Sequence, residues 1–135
     1  VRLFDWSASC LTAEADVQDF KEPRYMQVNR NLTAINEFVG HIGYAAPEAN
    51  PSNIVTAKTD IFPTAILIHR LVHGINPFKA KGWEDIQKKI RTEPPTLLDT
   101  NGVPRQLRDI LSQALSKNPK ERQSAMEMYM QIARL

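Results

Sequence analysis

A dense run of apolar residues between Thr59 and His73 constrains the fold of this chain more than any other feature. The apolar side chains are too frequent for one helix face, and a helix that is apolar nearly all round is normally a buried one. They are Ala65, Ile66, Leu67, Ile68, Leu71 and Val72. Thr59 or Asp60 can cap the start of such a helix. Because Gly74 suits a helix end and Pro77 prevents continuation, the run predicts a buried central helix that stops near His73.

Two later segments have the spacing of amphipathic helices. The first begins near Trp83 and ends before Pro94-Pro95, and the second begins at Pro104 and is ended by Asn118-Pro119. Apolar residues recur in both at intervals of three and four, which predicts helices that pack one face against a core. They are Trp83, Ile86 and Ile90 in the first, and Leu107, Ile110, Leu111, Ala114 and Leu115 in the second.

The two ends of the chain have different patterns. Val1 to Asp5 is a short apolar run with one basic residue, which predicts a strand. Ser7 to about Val39 is polar and lacks periodicity, which predicts a long loop of the kind that is usually functional or disordered. At the other end, Ser124 and Glu127 have the spacing of a capping box and predict the start of a last helix. The expected fold is therefore mainly α, with at least four helices after one strand and one long loop.

Composition argues against several classes of function. A net charge of +2 is far from the basic excess that nucleic-acid binding uses. No stretch approaches the ~20 apolar residues of a membrane span. Cys10 is the single cysteine, which excludes an internal disulfide and fits a reducing intracellular setting. We therefore expect an intracellular, cytoplasmic protein with no nucleic-acid partner and no membrane partner.

One pair of histidines is a candidate for metal binding. His69 and His73 lie four residues apart, so one face of a helix could present both to a zinc ion. No third ligand lies nearby in the sequence. The pattern therefore favours two histidines on a packed helix over a metal site.

Several segments resemble, in order and spacing, the C-terminal half of protein kinases. Val-Arg-Leu-Phe-Asp-Trp-Ser at 1–7 resembles the strand that leads into the D-F-G motif. Gly-His-Ile-Gly-Tyr-Ala-Ala-Pro-Glu at 40–48 is similar to the substrate-docking loop and A-P-E motif that close the activation segment. Residues 58–62 and 74–78 resemble the start and exit of the central helix, and residues 111–122 resemble the closing segment with its buried arginine. On these motifs the chain is identified as a member of the eukaryotic-type protein kinase superfamily, similar to serine/threonine kinases.

This resemblance implies functional roles for four residues of the first 48. Asp5 stands in the place of the aspartate that binds Mg²⁺, and through the metal the ATP cofactor, in an intact kinase. His41, Gly43 and Tyr44 lie in the loop that would dock the peptide substrate. The implied partner is a protein substrate or another protein partner.

Three further residues have implied structural roles. Glu48 and Arg122 correspond to the pair that joins the end of the activation segment to the helical core, and a guanidinium suits a buried carboxylate because it offers two parallel donors. Asp60 corresponds to the residue that anchors the backbone of the catalytic loop. Its alternative role is the cap of a helix N-terminus.

The resemblance covers only part of a kinase domain. The chain has no G-x-G-x-x-G, no V-A-I-K-like strand and no H-R-D-x-x-x-x-N loop, so we expect no catalytic residue within it and a missing N-terminal lobe. We expect residues 1–48 to form the metal-loop-like strand and activation segment, and residues 49–135 the helical core. The piece alone should bind Mg²⁺ and ATP poorly, whereas its intact parent would transfer the γ-phosphoryl of ATP to protein hydroxyls.

Departures from the family's pattern support an alternative function. Ser7 replaces the glycine of D-F-G, and His41 stands where serine/threonine kinases usually have a threonine. Ala65 replaces a glycine near the start of the central helix. The alternative is a pseudokinase, a scaffold or regulatory module that binds a protein partner without catalysis.

Overall fold

The computed structural model describes residues 43–49, 56–100 and 102–135, and this part of the chain is helical. It contains no strand within those ranges. Its helices are α1 (Ile61–His73), α2 (Trp83–Thr92), α3 (Arg105–Ala114) and α4 (Ala125–Ile132), with short 3-10 turns at Ala57–Thr59 and Pro119–Glu121. The mainly α prediction is confirmed. The strand expected at Val1–Asp5 and the loop expected from Ser7 to about Val39 lie outside the described residues.

The start of α1 differs from the prediction, whereas its end agrees. The helix begins at Ile61 because Ala57–Thr59 form a separate 3-10 turn, and Asp60 occupies the N-cap position without a side-chain capping bond. The Asp60 backbone is already helical (φ −75°, ψ −18°), whereas a capping side chain normally needs an extended backbone to reach the free amides. Gly74 ends the helix with φ 74°, a left-handed conformation that glycine adopts without a Cβ clash.

The capping box at the start of α4 is confirmed. The Ser124 hydroxyl accepts from the Glu127 amide at 3.2 Å, and the Glu127 carboxylate accepts from the Ser124 amide at 2.7 Å. The backbone donor of Ser124, together with its hydroxyl, lowers the pKa of Glu127. Met128 is the buried residue of this helix, whereas Met126 and Met130 are exposed.

The hydrophobic core lies where α1 packs on α3, and α3 also packs against α4. α1 contributes one buried face, and the segment after it adds the fully buried ring of Phe78. The buried apolar residues are Ala46, Ile61, Phe62, Ala65, Ile66, Phe78, Ile90, Leu107, Ile110, Leu111, Ala114, Leu115 and Met128. Because Ala46 belongs to this set, the 43–49 segment is part of the same packed unit.

The prediction that α1 is buried on nearly all sides was wrong for the described part of the chain. Leu71 is 76% exposed, and Leu67 and Val72 are also exposed. The density of apolar residues reflects two apolar helix faces, and the described residues pack on only one of them. No helix in the described ranges is long and apolar enough to cross a membrane.

Candidate substrate-docking site

The segment 43–49 is attached to the helical core by an ion pair between Glu48 and Arg122. The two guanidinium nitrogens donate to the two carboxylate oxygens, with Nη1 to Oε1 at 2.5 Å and Nη2 to Oε2 at 2.8 Å. The Arg122 side chain is fully buried and that of Glu48 is 11% exposed. Bidentate pairing fixes both the distance and the orientation of the two groups. The ion pair therefore fixes the C-terminal end of the segment.

Arg122 also connects parts of the chain that are distant in sequence. Its Nε donates to the Ser116 carbonyl at 2.8 Å, and its Nη1 donates to the Lys58 carbonyl at 3.0 Å. Its guanidinium carbon lies 5.0 Å from the ring centroid of Phe62, within cation–π range. In return the Lys58 ammonium donates to the Arg122 carbonyl at 2.8 Å. One side chain thus ties together the 43–49 segment, the turn before α1, and the segment after α3.

The N-terminal end of the segment is attached to α1 and its exit. The Asn76 side chain donates from Nδ2 to the Gly43 carbonyl at 3.0 Å and accepts at Oδ1 from the Phe78 amide at 2.8 Å. The Arg70 guanidinium donates to the Tyr44 hydroxyl. The structure therefore brings Gly43, Tyr44 and Glu48 together on one segment attached at both ends. Sequence reasoning missed Asn76 and Arg70, although Asn76 lies within the Gly-Ile-Asn-Pro-Phe segment that carried part of the resemblance.

A stacked pair of aromatic rings lies next to the Arg122 guanidinium. Phe62 and Phe78 stack with centroids 5.8 Å apart, and the Lys117 ammonium lies 4.2 Å from the Phe78 centroid. The Lys117 nitrogen is buried without a hydrogen-bond acceptor among the described residues. Burial, with the nearby positive charge of Arg122, lowers the pKa of Lys117 to about 8, while Glu93 acts in the opposite direction. The ring faces thus compensate part of the cost of burying this cation.

Of the predicted site residues not yet placed, the structure describes only Asp60. Asp60 is at the surface before α1, where partial burial raises the pKa of its carboxyl and no described donor reaches the carboxylate. Asp5 and His41 lie outside the described residues. A cavity of about 630 Å³ runs along the segment between α2 and α3 and the C-terminal end of α3. Its lining includes Glu93, Pro95 and Lys117 but none of the described site residues.

The two histidines of α1 are engaged in other contacts. Their ring centroids are 4.5 Å apart, with the Nδ1 of His69 3.0 Å from the Ile75 carbonyl and that of His73 3.0 Å from the Thr100 hydroxyl. Within the described ranges, no group of three His, Cys, Asp or Glu side chains is placed to hold a metal ion.

The environment of His69 predicts that acid destabilises the fold. A carbonyl oxygen only accepts, so His69 carries its proton on Nδ1, which leaves Nε2 buried without a partner among the described residues. Burial lowers the pKa of His69 from its ordinary value of 6.5, and neighbouring His73 lowers it further. The unfolded chain therefore binds a second proton on the His69 imidazole more readily than the folded chain does. The contribution of His69 to the free energy of unfolding is therefore present above pH 6.5. It should be lost as the pH falls below 6.5, by at most about 1.4 kcal/mol per pH unit.

This prediction is checked by urea unfolding of the intact protein between pH 7.5 and pH 5.5. We expect the His69→Phe variant to show a shallower decline in the free energy of unfolding over this range than the unmodified protein. The comparison concerns the slope with pH, so a constant loss of stability from the substitution does not affect it. Equal slopes would show that His69 is not the group responsible.

Comparison with known proteins shows the family of the chain. The family model for the protein kinase domain matches residues 10–132, and the chain therefore belongs to the protein kinase family. Its helical part is that of a kinase C-terminal lobe.

Similar curated proteins are named as serine/threonine kinases. The chain is 32% identical to serine/threonine protein kinase ypkA of Aspergillus fumigatus over 90 residues, which are 67% of this chain and 14% of that protein. It is 34% identical to PkaA of Streptomyces coelicolor over 95 residues, 70% of this chain and 17% of that protein. It is 30% identical to PknF of Mycobacterium tuberculosis over 105 residues, 77% of this chain and 22% of that protein. The match thus spans less than a quarter of each of these relatives.

Proposed function

We propose that the intact protein containing this chain is a serine/threonine protein kinase that transfers the γ-phosphoryl group of ATP to hydroxyl groups of a protein substrate. Residues 1–135 would be part of its kinase domain, with the metal-loop-like strand and activation segment at 1–48 and the helical core at 49–135. Membership of the protein kinase family and the similarity to three named serine/threonine kinases support this proposal.

One structural observation carries the proposal for substrate docking: the segment 43–49 is attached at both ends to rigid elements. Glu48 is paired with the buried Arg122, and Gly43 is bonded to Asn76 at the exit of α1. A substrate hydroxyl must be held in line with the reacting phosphate, so a docking surface needs fixed backbone. In the proposal, His41, Gly43 and Tyr44 form that surface.

The remaining proposed roles belong to Asp5, which lies outside the described residues, and to Asp60. In the proposal Asp5 binds Mg²⁺, which offsets charge on the phosphates of ATP when it is bound. The exposed Asp60 carboxylate, which lacks a donor within the described part, would accept hydrogen bonds from the backbone of the catalytic loop. The helical core would then contribute binding and positioning, while the acid–base and phosphate-binding groups come from the rest of the kinase domain.

The test is transfer of labelled γ-phosphoryl from ATP by the intact protein and by its Asp5→Asn variant. We expect transfer to serine or threonine hydroxyls by the intact protein and a loss of at least about 100-fold in the variant, because a ligand of the charge-neutralising metal is removed. Asp99→Asn removes a carboxylate from an exposed position and serves as the matched control. Equal, background-level signals from the intact protein and the Asp5→Asn variant would reject catalysis and favour the pseudokinase alternative.

A further inference from the structure

Arg70 is a cation beside the proposed docking surface. Arg70 is exposed in the last turn of α1, where its guanidinium donates to the Tyr44 hydroxyl. The ion pairs among the described residues are Lys89–Glu93 and Glu48–Arg122, so no described carboxylate neutralises Arg70. A positive charge is thus held next to Tyr44 without an acidic partner in this part of the chain.

The position of this charge relative to the docking segment is fixed by a second contact. Asn76 binds the Gly43 carbonyl at 3.0 Å and the Phe78 amide at 2.8 Å, so the backbone before Tyr44 is tied to the exit of the helix that carries Arg70. A helix C-terminus favours a cation, which explains why an arginine is tolerated there. The attraction to the helix C-terminus does not occupy the hydrogen-bond donors of the guanidinium. A guanidinium offers five donors, and the described contacts show a bond from Nη1 alone.

We propose that Arg70 selects acidic peptides, by pairing with an Asp or Glu side chain of the segment that docks on Gly43 and Tyr44. This inference rests on the proposed function and specifies the substrate class of the same site. A guanidinium bonded on one edge can still present a second edge to a carboxylate, with two parallel donors. The Tyr44 hydroxyl would limit the orientation of the guanidinium and so reduce the entropy lost on pairing.

The test compares two sets of peptide substrates that differ only in charge. One set carries Glu, and the other Lys, at each position in turn around one phosphoacceptor serine. For every peptide, kcat/KM is measured with the intact protein. At the peptide position that reaches Arg70, we expect kcat/KM to be roughly tenfold higher for the Glu peptide than for the Lys peptide. Exchanging Glu for Lys removes an attraction to the guanidinium and adds a repulsion. Arg70→Gln should abolish this preference, and Arg70→Glu should reverse it. Arg91→Glu, an equal charge change at an exposed position of α2, is the control and should keep it.

The ratio of the two peptides is the informative quantity, because a general loss of activity in a variant reduces both values. Should Arg70→Glu fail to fold, the salt dependence of the unmodified protein replaces it, and the preference should shrink as ionic strength rises. Phosphorylation without any preference for Glu, or a preference that Arg70→Gln leaves intact, would overturn the inference and leave the proposed function standing. Absence of transfer to every peptide would overturn both.

Discussion

Replacement of Arg122 with methionine should lower the free energy of unfolding of the intact protein by about 3 to 5 kcal/mol. The substitution leaves the Glu48 carboxylate, only 11% exposed, without its cation. It also removes the donors that satisfy the Ser116 and Lys58 carbonyls. A buried charge that loses its partner retains the full cost of leaving water, which makes this one of the two largest effects that we expect. Urea unfolding at neutral pH measures it.

A double-mutant cycle separates the ion pair from the other bonds of Arg122. Glu48→Gln removes the negative charge, so in the Arg122→Met background it should cost less than it does alone. Lys89→Ala is the control, because the Lys89–Glu93 pair is exposed, spans 3.6 Å and should contribute no more than about 0.5 kcal/mol. A loss in Arg122→Met as small as that in Lys89→Ala would contradict the role assigned to the ion pair.

Replacement of Phe62 with alanine should lower the free energy of unfolding by about 3 to 5 kcal/mol. The Phe62 ring is fully buried, stacks on Phe78 and lies against the Arg122 guanidinium. Its loss leaves a cavity beside two buried cations, Arg122 and Lys117, that its face helps to accommodate. Phe62→Leu retains much of the volume and should cost less than half as much.

The matched control for this prediction is Tyr129→Ala, which removes an aromatic ring from an exposed position. Tyr129 is 66% exposed on α4, so we expect its loss to change the free energy of unfolding by no more than about 0.5 kcal/mol. Urea unfolding of the intact protein, under the same conditions for all variants, provides the comparison. Equal losses in Phe62→Ala and Tyr129→Ala would show that the Phe62 ring is not part of the core.

The helices could be predicted because their start and stop signals are local. Gly74 ends α1 where the sequence predicted a stop, and Ser124 with Glu127 forms the predicted capping box of α4. Such signals depend on neighbouring backbone donors and acceptors, which are the same in any fold. The cap expected from Asp60 was the exception, because a preceding 3-10 turn leaves its backbone helical.

Contacts between distant residues could not be predicted in the same way. Periodicity shows that Leu67 and Leu71 belong to an apolar face of α1, but it does not show whether another segment covers that face. Glu48 and Arg122 lie 74 residues apart, and only the resemblance to kinases suggested that they meet. The bonds of Arg70 and Asn76 to Tyr44 and Gly43 had no such signal, since each depends on how the exit of α1 lies against residues 43–49.

The Glu48–Arg122 ion pair should hold the segment 43–49 on the helical core. Backbone hydrogen exchange of this segment in the intact protein tests it most directly, with Glu48→Gln and Arg122→Met compared with the unmodified protein under conditions where all three remain folded. We expect faster exchange across 43–49 in both variants and an unchanged rate in the Lys89→Ala control. Exchange of residues 43–49 that is the same in all four proteins would contradict it.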